Sequence, residues 1–217
     1  MARIAIVGGT GHLGNAIARR LVTAGHDVAI GSRTAEAAAS AAREIGADVR
    51  HGANAAIVAG HDFVIVTVPY AAQGATLAEI RDRVGDAIVV DTTVPLKPPK
   101  VMRVQLPAAG SAAVEAQGRL GPDVRLVSAF HNVAAHRLAT GEDVDCDVLV
   151  FSDDTDARAA VVDLIGGMGM RGLAAGSLAN AAAAEALTSI LIFLNKTYAA
   201  DGSGIRFTGL TTAPPIA

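Results

Sequence analysis

The residues best placed for chemistry lie at the very start of the chain. Gly8-x-x-Gly11-x-x-Gly14 follows directly on the β-branched run Ile4–Val7. A short apolar strand that runs into glycines and then a helix makes a phosphate cradle. The glycines let the backbone turn tightly and approach a pyrophosphate, while the helix aims its free N–H groups at the anion. The expected ligand is a dinucleotide. A second informative position is the end of the second strand, Gly31-Ser32-Arg33-Thr34. Folds that prefer NAD usually carry Asp or Glu there, to accept from the ribose 2′-hydroxyl. An acid would repel a 2′-phosphate, whereas a serine hydroxyl and a guanidinium bind one, the latter with charge-assisted hydrogen bonds. Ser32 and Arg33 therefore point to NADP.

Two further strand ends should line the same crevice, because ligands of such sheets sit outside the carboxyl edge. They are Thr67-Val68-Pro69-Tyr70 and Asp91-Thr92-Thr93-Val94-Pro95. Their backbone groups and small side chains would flank the path from adenosine to nicotinamide, with Tyr70 in position to pack on the cofactor.

Other chemistries find little support. His51 and His61 are ten residues apart without partner ligands, so no metal site is expected. Asp153, Asp154 and Asp156 read as a cap and first helical turn. The chain has no Gly-x-Ser-x-Gly elbow. Tyr70 and Tyr198 are each followed four residues later by glycine, so no Tyr-x-x-x-Lys pair exists. A net charge of −3, few aromatic residues and no tryptophan argue against nucleic acid as a partner. A lone cysteine, Cys146, cannot form an intrachain disulfide, which fits a reducing compartment or indifference to redox. The chain opens on its first strand without a signal peptide, and a cytoplasmic location is expected. Leu178–Leu194 is apolar, but it contains Asn180 and Glu185. It reads as a buried helix rather than a membrane span.

The elements that must position these residues alternate regularly. Strands are expected at Arg3–Val7, Asp27–Ile30, Asp48–His51, Asp62–Val68, Ala87–Asp91, Val124–Ala129, Asp147–Phe151 and Met170–Leu173. Helices are expected at His12–Ala24, Ala35–Ile45, Ala72–Arg83, Ala109–Arg119, Asp153–Met168 and Leu178–Tyr198. Gly25 and Gly46 stop the first two helices, and Ser152 or Asp153 is available to cap the fifth. The proline-rich stretch Thr92–Pro107 reads as a loop, and the tail with Pro214 and Pro215 as irregular. Alternating β and α segments with short loops predict an α/β fold, a doubly wound, mostly parallel Rossmann-type sheet with a small C-terminal helical lobe. Residues 1–175 would form the dinucleotide-binding domain, and residues 176–217 a helical segment that closes over it. The large apolar face of the last helix predicts a homodimer.

At this point the chain resembles a known family, the F420-dependent NADP reductases. The resemblance rests on Val7–Leu13 (VGGTGHL), Gly31–Arg33 (GSR), Thr67–Tyr70 (TVPY), Ser128–His131 (SAFH) and Gly176–Asn180 (GSLAN). Glu185–Thr188 and Gly204–Phe207 extend it. It runs in order through nearly the whole chain. The glycine loop is not specific to this family; SAFH and the late segments are more so. The resemblance implies hydride transfer between NADP(H) and the deazaflavin coenzyme F420. It implies that Gly9, Thr10, Gly11, His12 and Leu13 hold the pyrophosphate and that Ser32 and Arg33 hold the 2′-phosphate. Pro69, Tyr70, Val94 and Ala135 would lie along the ribose and nicotinamide. His131, with Leu178 and Asn180, would neighbour the deazaflavin ring. Two positions where the family can place a basic residue are here Ala37 and Ala182. Two other readings fit the glycine spacing: an NADP-dependent reductase of another acceptor, such as a flavin or ferric complex, and a non-enzymatic NADP-binding sensor. Hydride transfer between two ring systems needs orientation and water exclusion more than acid–base side chains. His131 is the one candidate for a donor or hydrogen-bond partner to the deazaflavin.

Overall fold

The computed structural model describes residues 1–46 and 48–210. Six strands, β1 (Arg3–Val7), β2 (Asp27–Ser32), β3 (Arg50–Ala53), β4 (Phe63–Val66), β5 (Ile88–Asp91) and β6 (Leu126–Ser128), form one parallel sheet. Its order is β3-β2-β1-β4-β5-β6. The chain winds outward from β1 in one direction, then returns and winds outward in the other, so the strand order reverses between β1 and β4.

The alternation of strand side chains builds two cores, one on each face of the sheet. Ile4, Ile6, Ile30, Ile65 and Val90 point to one face, where α1 (His12–Thr23), α2 (Ala35–Ile45) and α6 (Thr155–Gly167) cover them. Ala5, Val7, Val64, Val66 and Val89 point to the other face, under α3 (Tyr70–Ile80), α4 (Ala112–Leu120) and the first turns of α7 (Ala181–Tyr198). Each fully buried isoleucine contributes roughly 1.5–3 kcal/mol of transfer free energy. Leu178, Ala181 and Ala184 belong to this second core, so the chain beyond residue 176 begins inside the body of the sheet domain.

Helix boundaries follow local chemistry. Thr34 Oγ1 accepts from the Ala37 N–H at the start of α2, and Ser111 Oγ accepts from the Val114 N–H at the start of α4. Asp154, rather than Ser152 or Asp153, caps α6 by accepting from the Ala157 N–H. Ser152 instead donates to the Leu126 carbonyl, and Asp153 accepts from the Leu178 N–H. Gly25 takes φ +81°, the left-handed stop expected after α1. The helix expected from Ala72 already begins at Tyr70, with Pro69 as its flanking residue. The helix expected from Ala109 begins at Ala112, behind its serine cap. A five-residue helix, α5 (Ala135–Ala139), packs on α1.

One departure from the parallel pattern matters most. β7 (Asp147–Val150) and β8 (Arg171–Ala174) pair in parallel with each other. They join the main sheet through an antiparallel bridge between Ser128 and Phe151, closed by hydrogen bonds of 2.8 and 2.9 Å. The carboxyl ends of β7 and β8 therefore point away from the edge that carries the glycine loop. The tail with Pro214 and Pro215 lies outside the described residues.

Candidate active site

The crevice opens where the strand order reverses, at the carboxyl ends of β1 and β4, the position where ligands of open α/β sheets bind. The glycine loop is held from three sides. The Gly9 N–H donates to the Gly31 carbonyl at 2.9 Å, and the Gly8 N–H donates to Asn54 Oδ1 at 3.1 Å. Gly8 has φ +78°, and a Cβ there would lie 2.7 Å from Val68 Cγ1. A Cβ on Gly11, by contrast, would make only ordinary contacts, the nearest 3.5 Å from the Gly8 carbonyl oxygen. α1 starts at this point without a side-chain cap. Its first N–H groups stay available to an anion.

Two clefts meet at Thr10 and Gly11. One, of about 290 Å³, is bordered by Ser32, Arg33, Asn54 and Pro69. The other, of about 650 Å³, is bordered by His12, Asn15, Glu44, Ala135 and His136. Ser32 is buried at the end of β2, with Oγ 3.4 Å from Thr10 Oγ1. Arg33 is exposed, and no carboxylate pairs with it among the described residues. Thr10, Gly11, His12, Ser32, Arg33, Pro69 and Ala135 thus border these adjoining clefts, with Leu13 one residue into α1. Gly9 is buried beneath the loop, where a Cβ would lie 2.9 Å from Ile30 Cγ2. Tyr70 stands beside it, but its hydroxyl donates to Glu115 Oε2 at 2.8 Å, tying α3 to α4. Val94 is half-buried just past β5.

Below the crevice lies a buried polar network. Asp91, fully buried at the end of β5, accepts from the Thr93 hydroxyl at 2.6 Å and from Gln73 Nε2 at 2.6 Å. Burial pushes its carboxyl up to about 6, against those hydrogen bonds, which favour the ionised form. Gln73 Nε2 also reaches the Ala112 carbonyl at 3.3 Å. Glu185 of α7 is 1% exposed and accepts from the Ala112 and Ala113 N–H groups at 2.7 and 3.0 Å. It satisfies the first two donors of α4. Burial drives its carboxyl up to about 7, again against its hydrogen bonds.

His131 follows β6. The residue before it, Phe130, is buried and held at φ +68°, a conformation costly for a bulky side chain. The turn is fastened to α7: Thr188 donates to the His131 carbonyl at 2.9 Å, and Asn132 donates to the Ala184 carbonyl at 2.8 Å. His131 Nε2 lies 2.8 Å from Ser128 Oγ, while its buried Nδ1 has no partner among the described residues. Burial lowers its pKa to about 4, so the ring is neutral at physiological pH.

Leu178 and Asn180 are not brought to this crevice. The Leu178 N–H is bonded to Asp153, beside the start of β6, at the opposite edge of the sheet from the glycine loop. Leu178 borders a shallow groove with Gln117 and Pro122, near the far end of α4, and Asn180 donates to the Ala175 carbonyl. From there α7 climbs antiparallel to α4. Its residues from Glu185 onward, rather than Leu178–Asn180, reach the edge where His131 sits. His136 and Arg137 are paired with Asp201, at 2.8 and 3.9 Å.

Asn54 carries no sequence signature as a loop anchor, since an asparagine after a strand reads as turn chemistry. Glu185 was visible as a lone charge in an apolar helix, but its partners, backbone N–H groups more than seventy residues earlier, carry no side-chain signature.

Residues 3–95 match the family described as NADP oxidoreductase, coenzyme F420-dependent. The F420-dependent NADP reductase of Methanothermobacter thermautotrophicus is 38% identical over 221 residues, covering 96% of this chain and 95% of that protein. The F420-dependent NADP reductase of Methanocaldococcus jannaschii is 36% identical, covering 96% of this chain and 99% of its own. A solved structure from an Arthrobacter species, named as a candidate F420-dependent NADP reductase, superposes with a TM-score of 0.85 at 24% identity. It covers 96% of this chain and 100% of its own, and that likeness carries the fold.

Proposed function

The chain belongs to the coenzyme F420-dependent NADP oxidoreductase family, and on that premise we propose how its residues serve the reaction. The protein is an oxidoreductase that transfers a hydride between NADP(H) and coenzyme F420. The pyrophosphate rests on Gly9–Leu13, over the uncapped start of α1. Ser32 and Arg33 take the 2′-phosphate, and Pro69, Tyr70, Val94 and Ala135 flank the ribose and nicotinamide. The observation that carries this reading is the pairing of an open helix N-terminus with a serine and an exposed arginine where an NAD fold would carry an acid.

In the direction of deazaflavin reduction, NADPH supplies the hydride and one proton is taken up from solvent. The chain's own work is orientation and exclusion of water. His131 faces the second ring. With a pKa of about 4 it is not an imidazolium at neutral pH. Its contribution is a hydrogen bond through the unpartnered Nδ1, which steadies charge that develops on the ring. The segment from residue 176 completes this half of the site through the upper part of α7, and residues 1–175 form the NADP half.

A second copy of the chain covers the outer face of α7. Ile190, Phe193 and Tyr198 are exposed there, 45%, 50% and 74% respectively. Ser189 bonds the Arg103 carbonyl of a neighbouring strap that exposes Met102, Val104 and Leu106, so the two form one apolar patch. α7 is long and apolar enough to cross a membrane by composition, but a third of it is buried in the domain and it carries Glu185. We place the homodimer in the cytoplasm.

Anaerobic mixing of the protein with NADPH and oxidised F420 tests the reaction. The deazaflavin absorbance should bleach faster than in the enzyme-free control, and faster than a flavin or ferric acceptor is reduced. An unchanged rate would overturn the assignment. Light scattering should give a dimer mass, and a monomer mass would remove the second copy.

A further inference from the structure

We infer that Glu185 is a positioning residue for the hydride transfer, acting as a latch between α7 and the start of α4 that holds the two halves of the crevice in register. The inference rests on the placement of the second ring beside His131 and α7 proposed above.

A carboxylate on α7 takes both of its hydrogen bonds from the first two N–H groups of α4. The same Ala112 whose N–H it binds offers its carbonyl to Gln73, which in turn donates to Asp91, and Asp91 holds the N–H and hydroxyl of Thr93. Every side chain in this relay is buried. It ends one residue before Val94, on the NADP side of the crevice. On the other side, α7 is bonded one turn further along to the His131 carbonyl. Glu185 therefore sits where the two substrate halves are joined, and it touches neither.

The latch is strongest in the ionised form. The carboxylate offers one anionic oxygen to each N–H. A carboxylic acid offers one of those N–H groups a neutral hydroxyl oxygen, a poorer acceptor, and both charge-assisted bonds are lost. The groups that face Glu185 are Asp91 at the end of β5 and Glu115 on α4, both of which disfavour its charge. Tyr70 of α3 is bonded to Glu115 and senses Arg119. From the strap beside α7, Arg103 contributes its carbonyl to Ser189. With burial, the acidic neighbours bring the group to about 7, so the latch is half-closed near neutrality.

The test is steady-state kinetics with NADPH and F420 from pH 5.5 to 8.5 on the wild type and Glu185→Gln. The wild type should lose kcat/KM for F420 as the pH falls through about 7. Glu185→Gln, which resembles the protonated acid at every pH, should lie about tenfold lower at pH 8, the kinetic equivalent of one charge-assisted hydrogen bond. It should lack the step near pH 7, keeping only what Asp91 contributes near 6, with the loss in the F420 term and the NADPH dissociation constant unchanged. A structural role alone would lower the melting temperature without moving the profile. In the wild type, the amide protons of Ala112 and Ala113 should titrate together near pH 7 by NMR, a readout that needs no variant to fold. A profile retained in Glu185→Gln, or amides that do not titrate, overturns the latch. Absence of F420 reduction by the wild type would instead overturn the functional reading.

Discussion

The Gly8 N–H is held by the Asn54 side chain at 3.1 Å, so the turn after β3 fixes the loop that follows β1. Asn54 is 4% exposed, and a Cβ on Gly31 would stand 2.7 Å from its Oδ1. Asn54→Ala leaves the half-buried Gly8 N–H without its partner, a cost of about 1 kcal/mol. It should destabilise the fold and raise the KM for NADPH about tenfold. Asn54→Asp keeps the acceptor and should keep the stability, but its charge next to the pyrophosphate should weaken NADPH binding. Urea unfolding alongside kinetics separates the two. If both variants bind NADPH like the wild type, Asn54 does not shape the phosphate loop.

Arg33 stands exposed at the rim beside Ser32, with no carboxylate to compete for it among the described residues. Arg33→Ala should raise the KM for NADPH by roughly ten- to a hundredfold, the loss of a charge-assisted hydrogen bond of about 1.5–3 kcal/mol. The KM for NADH should hardly change, because that cofactor has no 2′-phosphate. Equal losses for both would show that Arg33 acts on the loop rather than on the phosphate.

The legible parts of this chain were the local ones. The run Ile4–Val7 before the glycines and Thr34 before Ala35–Ile45 are decided by neighbouring residues, and the structure gives those elements the expected bounds. The position of Leu178 and Asn180 was not legible, because it depends on the direction of one strand. Alternating β and α segments imply that β7 runs parallel to β6, which would carry its end to the crevice. The Ser128–Phe151 bridge reverses it, and everything after β8 starts from the far edge. An apolar strand such as Asp147–Val150 reads identically in either direction. The buried relay was hidden for a related reason, since Glu185 is joined to Gln73 and Asp91 through backbone groups of α4.

Arg20 offers a stability test away from the crevice. It is buried in the last turns of α1, and its guanidinium donates to the carbonyls of Leu138, Met168 and Glu142. One cation thus serves the ends of α5 and α6, where the helix dipoles favour positive charge. Arg20→Met should cost about 2–4 kcal/mol, because the buried carbonyls lose their donor. The melting temperature should fall by roughly 5–15 °C. Activity at low temperature should persist, since the site is not touched. A melting temperature within a degree or two of the wild type would mean that water replaces the guanidinium without penalty.

His131 predicts a pH dependence of stability whose sign is fixed by its burial. Its folded pKa is lowered to about 4, below the ordinary 6.5. Its contribution is therefore fully present above pH 6.5 and is lost as the pH falls toward 4, because the unfolded chain takes up the proton first. Between pH 7.5 and pH 5 that loss is about 2 kcal/mol. Asp91 and Glu185 oppose it. Their folded values are raised to about 6 and about 7, so their contributions are present at low pH and are lost as the pH rises through those values. The wild-type profile across this window is a sum of opposed slopes, and only a difference isolates the histidine. His131→Asn removes its titration and leaves the two carboxyls in place. The stability gap between wild type and His131→Asn, from urea unfolding, should shrink by about 2 kcal/mol from pH 7.5 to pH 5. A gap that stays constant would mean that the imidazole is protonated in the fold as readily as in water, and the neutral hydrogen-bonding role given to Nδ1 would fall with it.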